Sequence, residues 1–366
     1  MNTTPALHRT AFVFNGSFDK SIDSFTDYVT KFIEINRGNN RPLLIRISSS
    51  GGVPEVVFAF CGLLRQVQVE GHEVWVHVLS QLCNFTYMIA EVADKVYMEP
   101  SASFQFGQMT ARVSGNIIKI ADKKKHQQQL FDQLCDSIVK RSKGKLKKEE
   151  VSAWRAKHIS AQEALALGLC DEVAPDPEPQ EKPTNKSEWV MRVSGSFANQ
   201  ADIYNLQIAL NIFLEDSANT GRPIRVYLTS QGGTVAYALA LYGLLLEAQR
   251  LGHHVTVHVI GQAYSCALWF ATCALKAGTV LIDSYAMLMF HAPWIDEIAA
   301  DLDDIDDLVA VQLAVYKQTR ALLKQIPGFT EALISEWEVG EDRFMNAAEA
   351  VSLGLGRLST DKPVAA

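Results

Sequence analysis

Residues 222–234 read RPIRVYLTSQGGT. A β-branched run ends there in a Gly-Gly pair, and a helix-like stretch, 235–251, begins directly after it. Residues 41–53, RPLLIRISSSGGV, keep the same order and open a second helix-like stretch at 54–70. A strand that stops at paired glycines and turns straight into a helix is the opening of a crossover connection. The chain therefore carries one such unit twice.

The match extends outward on both sides. VFNGSFD (13–19) is answered by RVSGSFA (192–198), and SAQEALALGL (160–169) by NAAEAVSLGL (346–355), in the same order and at nearly the same spacing. Self-similarity of that kind means two copies of one domain. We assign them to 1–174 and 189–366, joined by PDPEPQEKPTNKSE (175–188), a linker rich in proline and charge and lacking apolar periodicity. In each copy a short strand precedes an amphipathic helix (20–37; 201–219). The glycine-ended strand and its helix follow, then a third strand, EVWVHVL (73–79) or HVTVHVI (254–260). Alternating strand and helix implies an α/β fold with a parallel sheet, helices outside it, and ligands at the carboxyl ends of the strands.

Composition narrows the function. With 366 residues, 48% of them hydrophobic, the chain supports two real cores. No window approaches the roughly 20 unbroken apolar residues of a bilayer span, and MNTTPALHRTAFVF at the start has no secretory pattern. A cytosolic protein without membrane attachment is expected. The six cysteines, Cys61, Cys83, Cys135, Cys170, Cys266 and Cys273, form no CxxC pair and read as buried free thiols, so neither metal nor cofactor is expected. A net charge of −7 argues against nucleic acid as a partner. Its distribution is uneven, with a lysine-rich stretch from Lys119 to Lys148 and an acidic one from Asp296 to Asp307.

After each third strand comes a decapeptide, SQLCNFTYMI (80–89) or GQAYSCALWF (261–270), whose fifth residue is Asn84 or Ser265. Ser265 starts a helix, where free N–H groups favour negative charge, and Gly232-Gly233 turns further N–H groups outward. Two such groups facing one point make an oxyanion hole. His291 ends the run MLMFH, 26 residues after Ser265, and Asp342 follows 51 residues later, just before another helix. A serine hydroxyl needs a histidine, itself held by a carboxylate, to act as a nucleophile at neutral pH. Taken singly, each residue has a plainer reading as a cap, a satisfied polar group or a surface ion pair. Their joint placement points to acyl transfer.

TSQGGTV, GQAYSCA, MFHAP and EDRFMNAAEAVSLGL, in that order, resemble the proteolytic subunit of the Clp protease family. The resemblance covers 189–358 well and 10–173 more weakly. It implies two tandem β-α spiral domains of the ClpP/crotonase type and a serine endopeptidase acting on peptides or unfolded polypeptides. It makes Ser265 the nucleophile, His291 the base and Asp342 the residue orienting that base. The N–H groups of Gly232 and Cys266 would hold the oxyanion, while Gly233, Thr234 and Trp294 would flank a substrate added as an extra strand. In the first copy the same frame puts Asn84, Gly107 and Ala156 at the three catalytic positions, so that copy keeps the fold without the chemistry. Cys83 has no base in frame and should stay protonated.

The sequence also departs from the family pattern. HAPWIDEIAADLDD lacks the glycines usual after the histidine, and the N-terminal arm is short, so an unfoldase ATPase partner enters by analogy alone. Other readings stand beside this one. A signal-peptide-peptidase-like enzyme would use a lysine base, for which Lys119 or Lys123 would serve. A crotonase-like acyl-CoA enzyme shares the spiral, but its acid-base carboxylates have no counterpart here. A non-catalytic assembly protein would keep the triad as a relic.

The family's seven-membered rings pose a counting question. A ring holding both domains of every chain has an even number of positions, so three chains would give a pseudo-sixfold ring. The other solution keeps seven by placing one domain of each chain in each ring, with the linker stretching at most about 50 Å. The two charge runs favour pairing of unlike domains in a salt-sensitive homo-oligomer.

Overall fold

The computed structural model describes residues 11–18, 23–107, 117–154, 156–179, 187–198, 200–216, 219–291, 313, 315–338 and 342–360. Trp294 and the acidic run Asp296–Asp307, on which the charge-pairing expectation falls, lie outside the described residues. The described residues fall into two compact units that divide between Pro175 and Asp176.

The first unit runs β1 (Ala11–Phe18), α1 (Asp23–Asn36), β2 (Leu43–Gly52), α2 (Pro54–Val69), β3 (Val74–Cys83), α3 (Tyr87–Val92), β4 (Lys95–Met98) and β5 (Ser103–Phe106). It continues with α4 (Ile117–Arg141), α5 (Lys148–Ser152), β6 (Lys157–Ser160), α6 (Ala161–Leu167) and β7 (Glu172–Val173). The main sheet has the order β1-β2-β3-β4-β7, all parallel. β5 branches from β3 and pairs antiparallel with β6.

The second unit repeats this element by element. It has β8 (Trp189–Ser196), α7 (Gln200–Glu215), β9 (Ile224–Gly232), α8 (Val235–Arg250), β10 (Val255–Tyr264), α9 (Cys266–Phe270), β11 (Thr279–Ile282) and β12 (Met287–Phe290). A helix over 315–323, α10, is followed by α11 (Glu331–Glu338), β13 (Arg343–Asn346), α12 (Ala347–Ser352) and β14 (Arg357–Leu358). β8, β9, β10, β11 and β14 form its parallel main sheet, and β12 branches to pair antiparallel with β13. The tandem α/β arrangement read from the repeats is present in both units.

The branch depends on the length of one strand. β10 pairs its residues 256–259 with 279–282 of β11 and its residues 262–264 with 287–289 of β12. Its register against β9 shifts between Val259 and Ala263, and such an irregularity bends the strand. β3 divides in the same way, 75–78 with β4 and 81–83 with β5. Each fork carries a short antiparallel strand pair to the carboxyl end of the sheet.

Helix-facing strand residues are fully apolar and buried: Ile224, Val226, Leu228, Val255, Val257 and Val259 in the second unit, Leu43, Ile45, Ile47, Val74, Val76 and Val78 in the first. Burying each such side chain stabilises the unit by about 1.5–3 kcal/mol. The antiparallel pairs lead into helices closed by capping boxes, Ser160 with Glu163 and Asn346 with Glu349. The end of the expected linker is already tied into the second unit, because Glu188 binds the Arg225 guanidinium at 2.6 Å and Arg222 donates to the Ser187 carbonyl at 2.9 Å. No helix among the described residues is long and apolar enough to cross a membrane.

Candidate active site

Ser265 caps α9 with φ 54° and ψ −124°, a conformation an L-residue adopts only when its surroundings enforce it. The enforcing contacts are visible. Its N–H donates to the Met289 carbonyl at 2.9 Å, which pins the turn to β12. Gly232, with φ 92°, lies so close that a Cβ there would meet Ser265 Cβ and the Tyr264 carbonyl oxygen at 2.7 Å. Only glycine fits, so the end of β9 and the start of α9 touch.

The antiparallel β12–β13 pair supplies the other two residues. Phe290 faces Arg343 in the last antiparallel pair of β12 and β13. His291 is the next residue on one strand and Asp342 the next on the other, so register alone brings them to the same end. β12 in turn lies beside β10, with Met289 opposite Tyr264, one residue before Ser265. Three segments far apart in sequence therefore finish at one edge. Ser265 and His291 are half-buried and Asp342 is exposed, and among the described residues no hydrogen bond joins the three side chains. Asp342 was expected directly before a helix, but β13 intervenes, and that strand creates the pairing.

The glycine loop has its own supports. The Gly232 N–H donates to Ser230 Oγ at 3.1 Å, and the Gly232 carbonyl accepts from the Phe197 N–H at 2.8 Å and Ser196 Oγ at 3.2 Å. The expectation that Gly232 offers its N–H to an oxyanion thus meets an N–H already engaged from below. Gly233 lies one residue beyond the strand, and its backbone reaches the Cys266 sulfur. Burial pushes that thiol up to about 12 despite hydrogen bonds from the Gly233 and Cys266 backbones, so it is neutral at physiological pH. Thr234 is the N-cap of α8 with extended backbone. Lys119 and Lys123 belong to α4 by backbone position.

The first unit has the same frame and different contents. Asn84 copies the strained turn with φ 50°, and its Oδ1 accepts from the Gly107 N–H at 2.8 Å. The counterparts of Ser265 and His291 are thus bonded to each other. Ser49 and Ser17 hold Gly51 much as Ser230 and Ser196 hold Gly232. Gly51 sits more loosely, its nearest approach being the Cys83 carbonyl oxygen at 3.8 Å. Ala156 precedes Lys157, which pairs with Phe106. Cys83 is half-buried beside Gln105, and burial pushes its thiol up to about 12, which leaves no thiolate to act.

The sheet faces beside the two sites also differ. In the second unit one face carries Tyr264, Met287, Met289 and Phe344, with the Tyr264 and Phe344 rings edge to face at 5.7 Å. In the first unit the corresponding positions are Cys83, Ser103, Gln105 and His158, and Gln105 donates to Gln81 at 3.1 Å and Ser103 at 3.3 Å.

The model of the Clp protease family matches residues 13–177 and, a second time, residues 191–357. The chain belongs to the Clp protease family. Both units are Clp protease domains, in tandem, and the family is of serine-peptidase type. Ser230, Ser196 and Trp337, which the motif reading passes over, surround the site in this Clp protease chain. The sequence signal for the two serines was their recurrence as Ser49 and Ser17 in the repeat.

Proposed function

We propose that the second unit is a serine endopeptidase site and that the first is its structural partner. Ser265 Oγ attacks the scissile carbonyl carbon as His291 takes its proton, and Asp342 holds the imidazole and balances its charge. The tetrahedral oxyanion lies against the Cys266 N–H and a backbone N–H of the Gly232-Gly233 turn beside it. Collapse breaks the C–N bond, the amine departs with the proton from His291, and water hydrolyses the acyl-enzyme by the same steps in reverse roles.

The observation that carries this reading is the register of the β12–β13 pair beside the strained Ser265 turn. Family membership and the loss of all three side chains from the first unit support it. Catalytic hydrogen bonds commonly tighten only around substrate, so their absence between the free side chains is compatible with the role. The substrate is a peptide or unfolded polypeptide bound as an added strand along Gly233 and Thr234. The reading includes a homo-oligomer fed by an unfoldase ATPase, which native mass spectrometry and pull-down would test.

A fluorophosphonate probe tests the chemistry. Stoichiometric labelling at Ser265, with peptidase activity abolished in Ser265→Ala and strongly reduced in His291→Ala, is expected. Undiminished labelling of His291→Ala would favour a lysine base, and an inert Ser265 would leave an assembly protein.

A further inference from the structure

Trp337, on α11, touches both strands of the β12–β13 pair. Its ring lies 5.9 Å from that of Phe290, and the Arg343 guanidinium lies over it at 5.6 Å. Phe329 packs edge-on at 5.3 Å from the other side. Phe290 immediately precedes His291, Arg343 immediately follows Asp342, and these two are the last paired residues of the ladder. One indole therefore holds the register step that sets how far apart the base and acid positions stand.

The helix behind Trp337 is itself anchored. Ile334 is fully buried, and Arg320 of α10 donates to Glu331 at 2.6 Å and to Ser335 and Glu338 at 2.8 Å. In the first unit a tryptophan also packs on the residue before the corresponding position, with Trp154, just past the end of α5, at 5.4 Å from Phe106 and Lys157 in place of Arg343. There the strand pair ends in Gly107 and Ala156 and has no base or acid to align. The chain thus contains its own control for the structural share of this packing.

We infer that Trp337 is a positioning residue for the His291–Asp342 pair, acting through Phe290 and Arg343. This rests on the Ser-His-Asp reading above. A residue that sets geometry without touching substrate affects the chemical step and leaves binding alone.

The test measures kcat, KM and the rate of fluorophosphonate labelling at Ser265 in the full-length chain. Trp337→Ala is expected to lower kcat and labelling by about 10- to 100-fold with KM within about twofold. Trp337→Phe, which keeps a ring against Phe290 and Phe329, should recover most of that loss. Trp154→Ala should leave kcat unchanged. Unaltered kcat in Trp337→Ala, a loss confined to KM, or an equal fall in Trp154→Ala would each overturn the inference. Should Trp337→Ala not fold, Trp337→Leu keeps apolar volume without a ring, and wild-type kcat in that variant would overturn it as well. A Ser265→Ala variant that still turns over would sink the triad reading. An inert Ser265→Ala beside a flat Trp337 series would sink this inference alone.

Discussion

Asn84 Oδ1 accepts a hydrogen bond from the Gly107 N–H at 2.8 Å, joining the two first-unit positions that in the second unit hold Ser265 and His291. The bond engages the Gly107 N–H, and neither Gly107 nor Ala156 carries a side chain that could act as base or acid. Asn84→Ser in a Ser265→Ala background is therefore expected to restore no peptidase activity. Asn84→Ala should destabilise the first unit by about 1 kcal/mol, the net worth of one hydrogen bond, in urea titration. Turnover by the double variant would show that the first unit retains chemistry.

Ser265 has φ 54° and ψ −124°. Non-glycine residues held in such regions cost about 1–3 kcal/mol, and glycine adopts them freely. Ser265→Gly should accordingly abolish activity while raising the unfolding midpoint by about 2–4 °C for each kcal/mol of strain released. Ser265→Ala should abolish activity without that gain. Equal midpoints for the two variants by differential scanning calorimetry would mean that the turn stores no strain.

Gly232 and Gly51 are equivalent by sequence and unequal in their surroundings. A Cβ on Gly232 would stand 2.7 Å from Ser265 Cβ, whereas one on Gly51 finds its first neighbour at 3.8 Å. Both have positive φ, 92° and 113°, so each alanine meets backbone strain of about 1 kcal/mol. Only Gly232→Ala also displaces the nucleophile turn. We expect it to cost a further 1–3 kcal/mol, roughly the penalty of overpacking, and to lower kcat/KM by at least about 100-fold. Gly51→Ala should leave kcat/KM intact, and steady-state kinetics on the pair decides the point.

How far the sequence carries follows from which contacts are local. The repeat, the strand-glycine-helix openings and the crossover order are written in short-range pattern, so two α/β units follow from RPLLIRISSSGGV and RPIRVYLTSQGGT. The candidate serine, histidine and aspartate were also legible, as motif residues in order. Why His291 and Asp342 come to the same end of the ladder was not, because it depends on Phe290 pairing with Arg343 across a long intervening segment. Ser230 capturing the Gly232 N–H is a side-chain choice that spacing does not encode. Trp337 gave no motif signal, since a tryptophan on an amphipathic helix reads as core.

Burial pushes the thiols of Cys61, Cys83, Cys170 and Cys266 up to about 12, and that of Cys135 to about 11. At neutral pH these groups are thiols, which are poor nucleophiles. Cys83→Ala should leave peptidase activity unchanged, and a disulfide reagent should modify the native chain far more slowly than the urea-unfolded one. Rapid loss of activity on treating native protein with iodoacetamide would contradict the assignment of the chemistry to Ser265.

Glu163 closes the capping box of α6, and its carboxylate is held below the usual range, first by the Ser160 backbone N–H and then, against some burial, by the Ser160 hydroxyl, Lys157 and His158. A depressed folded-state pKa means that the unfolded chain binds the proton more readily. The stability this adds is therefore full above the unfolded glutamate value of about 4.3 and disappears as pH falls through the lower folded value. Glu163→Gln keeps an acceptor for the Ser160 N–H, since glutamine also completes such a box, but removes the charge. The wild type should exceed Glu163→Gln in stability at pH 7, and the difference should shrink steadily as pH falls below about 4.3 in urea titrations. A difference that stays constant across that range would show that the cap contributes through hydrogen-bond geometry alone.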